Sequence, residues 1–262
     1  MRTQIKEALE RLSGGRVWLE PASDFLAVAD LLHALRPRAI KTPLIRIGGD
    51  GDGGYLLPDD LAGVTACISP GVSDTVTFDQ AMADRGIEVF MADASVKGPP
   101  IQNDRFHFVK KFLDVYEDDT HMRLDSLCAM VSPDGDRILQ IDIEGAEYRV
   151  ILDASDEALK SFRIIVAEFH HLTRMFGKFQ FDVIRATFEK LLRFYDVVHI
   201  HPNNVCGPTV RGSLSIAPVM EFTFYRKDRV EIDETRRLDF PHPLDANNLN
   251  NRPTLPLPEC WQ

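Results

Sequence analysis

The chain has 262 residues, of which 44% are hydrophobic, and this length and composition suit one large folded domain and exclude general disorder. The formal charge of −10 at pH 7 argues against a nucleic-acid-binding surface, which would need a basic stripe. No apolar run is long enough to span a bilayer, and the cysteines include no C-x-x-C pair. We therefore expect a cytoplasmic protein with reduced thiols that binds neither nucleic acid nor membrane.

Residues 1–40 predict an N-terminal helical extension. The segment MRTQIKEALERL has the pattern of an amphipathic polar helix rather than of a signal peptide. A second helix is predicted over DFLAVADLLHAL, with Ser23 as its N-cap and Pro37 beyond its end. We assign the main domain to residues 41–228 and expect residues 229–262, which are rich in Pro and Asn, to form an irregular tail.

The main domain alternates strand-like with helical segments, which predicts an α/β fold with a doubly wound, mostly parallel sheet. The predicted strands are, in chain order, TACISPG, IEVFMAD, RFHFVKKF, RILQIDI, RIIVAEF, DVVHIHP and PVMEFTFYRK. Helices are predicted over DTVTFDQAMADRG, LDSLCAMV, a segment from Glu147, and FDVIRATFEKLLRFY. The last two strands are separated by a loop too short for a crossover helix, so we expect them to pair antiparallel.

Polar residues follow almost every predicted strand, at the edge of the sheet where open α/β folds bind ligands. They are SPGVSD after the first strand, Asp93 after the second, Asp142 and Glu144 after the fourth, Glu168 and His170 after the fifth, and His201, Asn203 and Asn204 after the sixth. The repetition of this placement predicts a functional site at that edge.

The glycine-rich stretch IGGDGDGGYLLPDDL contains G-x-G-x-x-G but does not resemble a dinucleotide fingerprint, because no helix follows it. Asp50 and Asp52 would also repel a pyrophosphate. A calcium loop is excluded because its last position would be Leu61 instead of Glu. Two interpretations remain open: a flexible turn, or a loop that closes over a small ligand through Asp52 and Tyr55.

The turn SPGVSD and the acid after the next strand together indicate an adenosine-containing cofactor. Gly71 lets the backbone approach a ligand closely, and Asp93 lies where this kind of fold commonly binds a ribose diol. The competing interpretation is local, because Ser73 or Asp74 can cap the following helix and a lone Asp often ends a strand.

Asp142 and Glu144 are two residues apart, and Glu168 and His170 repeat that spacing on the next strand, so each pair should point to one side. Three carboxylates and an imidazole suit a divalent cation, or a cationic ligand beside a general base. Alternatively these acids cap helices and pair with nearby arginines. If His170 binds a metal, the base is His171 or His201, of which His171 adjoins the acids.

The block IDIEGAEYRVIL resembles the (K)IDVEGAE block of FkbM-type S-adenosylmethionine-dependent methyltransferases. Arg123-Leu124-Asp125 resembles the LD element of that family, and AEFHH resembles its next strand, which ends Glu-x-His. SPGVSDTVTFDQAMADRG stands at the place of the family's cofactor turn, with Ser69 instead of the first acid and Asp74 where a second glycine is common. The resemblance covers about residues 45–205.

The resemblance implies a class I methyltransferase fold, which has a seven-stranded sheet with the last strand inserted antiparallel, and O-methylation, frequently of sugars in polysaccharides, glycoconjugates or nucleotide-sugar precursors. S-adenosylmethionine would be the cofactor, and a divalent ion (Mg²⁺ or Mn²⁺) would assist. The expected cofactor contacts are Asp52, Tyr55, Ser69, Gly71, Ser73, Asp93, Asp125 and Asp142. The expected metal ligands are Asp142, Glu168 and His170, the expected catalytic residues His171, His201 and Glu144, and the expected acceptor contacts Glu144, Asn203 and Asn204.

Two other functions fit the same residues. A metal-dependent glycosyltransferase would use Asp142-x-Glu144 to hold a nucleotide-sugar through an ion, and a non-catalytic protein would only bind sugar or metal. Calorimetry with S-adenosylmethionine, S-adenosylhomocysteine and UDP separates the three. The sequence leaves open which small molecule or saccharide is the acceptor and whether two copies of the chain associate into a homo-oligomer.

Overall fold

A computed structural model describes residues 11, 13, 19–132 and 134–262 of the chain. The helix predicted over MRTQIKEALERL lies outside these residues except for Arg11, so it stays a prediction. Within the described residues, no helix is both long enough and apolar enough to cross a bilayer.

The strands and helices follow one another along the chain in three parts. The N-terminal part contains α1 (Phe25–Ala34) and the antiparallel hairpin β1 (Leu44–Ile47) and β2 (Tyr55–Pro58). The middle part contains β3 (Val64–Pro70), α2 (Thr77–Ala83), β4 (Glu88–Ala92), β5 (Phe106–Val109), β6 (Phe112–Leu113), β7 (His121–Met122) and α3 (Leu124–Ala129). The last part contains β8 (Asp136–Ile141), α4 (Glu147–Asp153), α5 (Asp156–Lys160), β9 (Phe162–Phe169), α6 (Lys178–Leu192), β10 (Tyr195–Pro202), β11 (Thr209–Arg211), β12 (Leu214–Ile216) and β13 (Met220–Arg226).

The main sheet has seven strands in the order β10-β13-β9-β8-β3-β4-β5. Neighbouring strands from β9 to β5 pair in parallel, whereas β13 runs antiparallel to both of its neighbours, β9 and β10. The predicted fold class is therefore confirmed, including the last strand inserted antiparallel. The loop between β10 and β13 holds the short β11–β12 hairpin and no crossover helix.

Apolar side chains cover both faces of the main sheet. All the residues of β9 are buried, as expected for a strand with neighbours on both sides and layers above and below. One face packs against α1, α3, α4, α5 and α6, and Phe188 and Leu191 of α6 are fully buried there. The other face packs against α2 and the β1–β2 hairpin, through Met82 and Leu57. The hairpin thereby holds the glycine-rich loop beside the carboxyl ends of the strands.

The N-cap of α1 is Asp24 and not Ser23, so that prediction was wrong by one residue. The carboxylate of Asp24 accepts a hydrogen bond from the backbone N–H of Ala27 at 2.9 Å. The hydroxyl of Ser23 is buried and donates instead to the carbonyl oxygen of Met175 at 2.7 Å. Both residue types favour this position, and the buried tertiary partner of Ser23 decides between them.

The segment after β13 runs irregularly across the body of the protein and ends in a single 3₁₀ turn at Glu259–Trp261. Trp261 is fully buried, and its indole N–H donates to the carbonyl oxygen of Ser215 at 3.0 Å. The end of the chain is thus packed on the domain although it forms almost no regular structure.

The turn after β3 requires a glycine. Gly71 has φ +88°, and its N–H donates to the carbonyl oxygen of Ala92 at 3.1 Å. A Cβ built on Gly71 would lie 1.8 Å from the carbonyl oxygen of Asp142. The close approach joins the end of β3 to the end of β8, because no side chain separates the two backbones.

Gly71→Ala should lower the free energy of unfolding by roughly 2 to 5 kcal/mol, because backbone strain and a clash with main-chain atoms add together. Urea unfolding followed by circular dichroism measures this loss. Gly86→Ala is the matched control, since Gly86 has φ +81° but no atom within 4 Å of the added Cβ. It should cost only the backbone strain, about 1 to 2 kcal/mol. Equal losses in the two variants would contradict the steric argument.

Candidate functional site

A cavity of about 530 Å³ opens at the carboxyl ends of β3, β4 and β8. The ends of these strands contribute Gly71 and Ser73, Asp93 and Ser95, and Asp142 and Glu144 to its wall. Its volume lies within the range of small-molecule sites. The structure therefore gathers the predicted residues that follow these three strands around one space.

Hydrogen bonds to the side chain of Asp93 connect the glycine turn to the end of β4. One carboxylate oxygen accepts from the backbone N–H of Val72 at 2.9 Å, and the other accepts from the N–H and the hydroxyl of Ser95, each at 2.6 Å. The side chain is buried at the cavity wall. Asp93 thus lies where the sequence predicted a cofactor contact, and it also shapes the turn that a cofactor would meet.

The far wall of the cavity contains an ion pair that the sequence pattern did not predict. Arg149 of α4 donates from Nε and Nη2 to the two carboxylate oxygens of Asp114, at 2.8 and 2.9 Å. Hydrogen bonding to Arg149 holds the pKa of Asp114 below its usual range. Asp114 follows β6, a two-residue strand. The pattern RFHFVKKF predicted one continuous strand, but the segment forms two short strands, β5 and β6, and Asp114 follows the second.

The loop of IDIEGAE turns the chain from β8 into α4 through two left-handed residues, Glu144 (φ 55°) and Gly145 (φ 99°). The fully buried carboxylate of Glu147 accepts from the N–H groups of Ile143 and Gly145, at 3.0 and 3.1 Å. Glu147 therefore braces the loop, while the side chain of Glu144 is 86% exposed and accessible to a ligand. The sequence showed the acid at 147 but not its partners.

The side chains of Asp142, Glu168 and His170 lie close together. One ligand atom from each lies within 4.8 Å of the others. Nε2 of His170 is 3.4 Å from Glu168 Oε1 and 3.9 Å from Asp142 Oδ1. Nδ1 of the same ring is 3.2 Å from Glu147 Oε1, so a buried carboxylate orients the imidazole. We call Asp142, Glu168 and His170 the acid–histidine cluster.

Burial and mutual repulsion shift the pKa values within this cluster. Burial raises the pKa of Asp142 to about 7, with nearby His170 opposing the rise and Glu147 adding to it. Burial, and then the charge of Asp142, raise the pKa of Glu168 well above its usual range. Burial alone would lower the pKa of His170, but the carboxylates of Glu147 and Asp142 outweigh it and raise this pKa. Such a group of acids favours a positive charge at its centre.

Two of the arginines that could have neutralised these acids, Arg149 and Arg163, have other partners. Arg149 pairs with Asp114, and Arg163 pairs with Asp60 and Asp136, at the opposite end of the strands from the cavity. The interpretation in which the strand-end acids serve mainly as partners of arginines therefore finds no support in the described contacts of Arg149 and Arg163.

The acid–histidine cluster continues as a row across the sheet. Glu221 of β13 is the register partner of Glu168, and His201 of β10 is the register partner of Glu221. Tyr55 of β2 covers this row, and its hydroxyl accepts from the side-chain amide of Gln140 at 3.4 Å. Asp52, on the loop before β2, lines a smaller cavity with Tyr55.

The two candidate bases lie in different surroundings. His171 is exposed, in a left-handed conformation (φ 59°), with its ring against Gly145 beside the acid–histidine cluster. His201 is only 2% exposed, and its Nδ1 lies 3.3 Å from a carboxylate oxygen of Asp245 in the C-terminal segment. Asp245 also meets Nε2 of His199 at 2.9 Å. The structure thus leaves His171 accessible and buries His201 under the tail.

Asn203 and Asn204 have separate roles. The amide of Asn203 donates to both carboxylate oxygens of Glu168, at 3.4 and 3.3 Å, so Asn203 belongs beside the cluster. Asn204 exchanges two hydrogen bonds of 2.9 Å with the backbone of Leu249 and thereby anchors the tail. From the same segment, Asn248 donates to Glu221 at 2.9 Å and to Asp52 at 3.4 Å.

Two predicted cofactor residues, Asp125 and Ser69, line neither the large cavity nor the smaller one. Asp125, in the first turn of α3, accepts from the N–H of Ser155 with both carboxylate oxygens, at 3.2 and 3.0 Å, and so joins α3 to α5. Ser69 is buried within β3, and its hydroxyl donates to the side-chain oxygen of Gln140 at 2.6 Å. Both residues stabilise neighbouring elements, a role that the sequence pattern does not distinguish from ligand binding.

Comparison with known proteins gives one family. The sequence model of the methyltransferase FkbM domain matches residues 72–195, which begin directly after Gly71 and include the IDIEGAE loop. No curated protein sequence matches the chain. Similar solved structures include a fibrillarin/Nop5p complex, with 10% identity, coverage of 63% of this chain and 74% of that chain, and a TM-score of 0.39. Another is a putative RNA methyltransferase from Pyrococcus horikoshii, with 12% identity, coverage of 78% and 99%, and a TM-score of 0.32.

The fold assignment rests on the strand order of the sheet and not on these two structural similarities. The family match and the cavity share residues that follow β3, β4 and β8. Residues 72–195 are therefore similar to the methyltransferase FkbM domain.

Proposed function

We propose that the protein is an S-adenosylmethionine-dependent O-methyltransferase that methylates a hydroxyl group of a sugar with the help of a divalent cation. The observation that supports this most strongly is the acid–histidine cluster at the rim of the large cavity. Asp142 lines the cavity and also belongs to the cluster. A methyl donor bound in the cavity and a sugar bound at the cluster would therefore be in contact.

The ligand atoms of the acid–histidine cluster suit Mg²⁺ or Mn²⁺. Two carboxylates and one imidazole are ligands that such ions accept, and Glu147 holds the imidazole from its other nitrogen. Asp142, Glu168 and His170 would hold the ion. It would supply Lewis-acid chemistry, which makes a bound hydroxyl more acidic.

The protein's own residues would then position the acceptor and take its proton. Glu144 is exposed at the cavity rim, and Asn203 lies beside Glu168, so both can hydrogen-bond to the hydroxyl groups of a sugar. S-adenosylmethionine would supply the methyl group, its carbon–sulfur bond breaking as the acceptor oxygen bonds to the methyl carbon. A ring nitrogen of His171 would take the hydroxyl proton, so that the products would be a methyl ether, S-adenosylhomocysteine and protonated His171.

Calorimetry and product analysis test this function. The protein should bind S-adenosylmethionine and S-adenosylhomocysteine but not UDP, and mass spectrometry should find one added methyl group on a member of a panel of hexoses, methyl glycosides and nucleotide-sugars. Tight UDP binding without binding of S-adenosylmethionine would instead favour a glycosyltransferase. Methyl transfer to amines alone would overturn the sugar assignment.

Asp93→Ala should weaken the binding of S-adenosylhomocysteine by about 1 to 3 kcal/mol, because a charge-assisted hydrogen bond to the ribose and the support of the glycine turn are both lost. Calorimetry on folded protein measures the change. Asp125→Ala is the matched control, since Asp125 joins α3 to α5 away from the cavity. It should affect thermal stability and leave this affinity unchanged. Unchanged affinity in Asp93→Ala would rule out the assignment.

Asp142→Asn should abolish calorimetric binding of Mn²⁺, because the amide loses the negative charge that a hard cation prefers. Binding to the unaltered protein should weaken as the pH falls below about 7, where the raised pKa of Asp142 lets protons compete. Asp114→Asn, which changes another acid of the same cavity, should bind Mn²⁺ normally. Full methyl transfer by protein shown to be metal-free by elemental analysis would contradict the metal proposal.

His171→Gln should reduce turnover by about 10²- to 10⁴-fold at saturating S-adenosylmethionine, while cofactor affinity stays the same. The formation of S-adenosylhomocysteine is followed by mass spectrometry across roughly pH 6 to 9. His201→Gln is the comparison, because His201 is buried against Asp245. A near-normal rate in His171→Gln together with a large loss in His201→Gln would transfer the role of base to His201.

A further inference from the structure

A second, smaller cavity of about 40 Å³ lies behind the glycine turn. Gly71, Ser73 and Asp142 line both this cavity and the large one, so the two spaces meet at the turn. The volume suffices for a group of the size of one or a few water molecules. A ligand in the large cavity can therefore place one small polar group in the smaller one.

Asp79 of α2 lines the smaller cavity, and one of its two carboxylate oxygens has no hydrogen-bond donor within the described residues. The residue is 8% exposed, and its Oδ1 makes no hydrogen bond within the described part of the chain. Burial raises the pKa of Asp79 to about 6, and a hydrogen bond with Ser69 moderates the rise. Ser69 has a single hydroxyl proton, however, and Gln140 Oε1 lies 2.6 Å away as a competing acceptor. A buried carboxylate oxygen without a donor is costly unless a ligand provides one.

Two further acidic residues, Asp52 and Asp142, line the same cavity. The uncharged polar residues of its lining, which can both donate and accept hydrogen bonds, are Tyr55, Ser73, Thr75, Thr77 and Gln140. Among the described residues, only the acid–histidine cluster brings three atoms that could bind a metal ion within 4.8 Å of one another. Asp79 belongs to no such group, so its carboxylate is better suited to accept hydrogen bonds from a ligand than to bind a metal ion.

We propose that Asp79 binds the α-ammonium group of S-adenosylmethionine in the smaller cavity, while the rest of the cofactor occupies the large one. The ammonium group has a size close to that of water, a positive charge and three N–H donors. The inference rests on the proposed cofactor and deepens that assignment.

The first test needs no mutation. Calorimetry compares S-adenosylhomocysteine with the analogue that has hydrogen in place of the α-amino group, and with 5′-methylthioadenosine, which lacks the whole amino-acid part. We expect the first ligand to bind about 10- to 100-fold more tightly than the analogue without the amino group. Equal affinities would overturn the ammonium site and leave the proposed function standing. No binding of S-adenosylhomocysteine would overturn both.

The second test assigns the site to Asp79. In Asp79→Asn the preference for the amino group should fall by about tenfold or more, while 5′-methylthioadenosine binds as before. The unliganded variant should melt at the same or a higher temperature than the original protein, because an amide replaces a buried carboxylate of nearly the same shape. Asp84→Asn is the control, since Asp84 is exposed at the end of the same helix. An unchanged preference in Asp79→Asn, or a lower melting temperature with no change in ligand preference, would show that Asp79 is only structural.

Discussion

The buried carboxylate of Glu147 is the interaction on which the candidate site depends. It accepts hydrogen bonds from the N–H groups of Ile143 and Gly145 and meets Nδ1 of His170. One side chain therefore holds the left-handed turn after β8, the start of α4 and the imidazole at the end of β9. A carboxylate in this position is costly without its partners, so these three parts of the site are stable only together.

The sequence sufficed to predict one edge of the sheet. Parallel strands end at a common edge, and an apolar run followed by acids marks each end, which is why Asp142, Glu168 and His170 could be expected to meet. This rule did not predict Glu221 as a site residue, because β13 runs antiparallel to its neighbours. Its residue at the site is the second of the strand and precedes the apolar run instead of following it. A pattern that looks only after each strand cannot find such a residue.

The roles of other residues could not be predicted, because the same side chain can either bind a ligand or join two elements of the fold. Asp125 and Ser69 are of types that bind ligands, but their hydrogen bonds to Ser155 and Gln140 join elements of the fold. The partner of Asp125 is 30 residues away along the chain, and that of Ser69 is 71 residues away. Pairings of this range depend on how helices and strands pack, which local spacing does not encode. The same limit applies to Asp245, whose partners His199 and His201 stand on another element.

The C-terminal segment crosses over the end of the site opposite the glycine turn, where Asp245 and Asn248 meet β10 and β13. The family match ends at Tyr195, the first residue of β10, and so excludes nearly all of β10 and the whole of β13. The surface that the C-terminal segment contributes thus lies outside the matched residues. Substitutions of Asp245 or Asn248 would alter this surface without changing the glycine turn or the IDIEGAE loop.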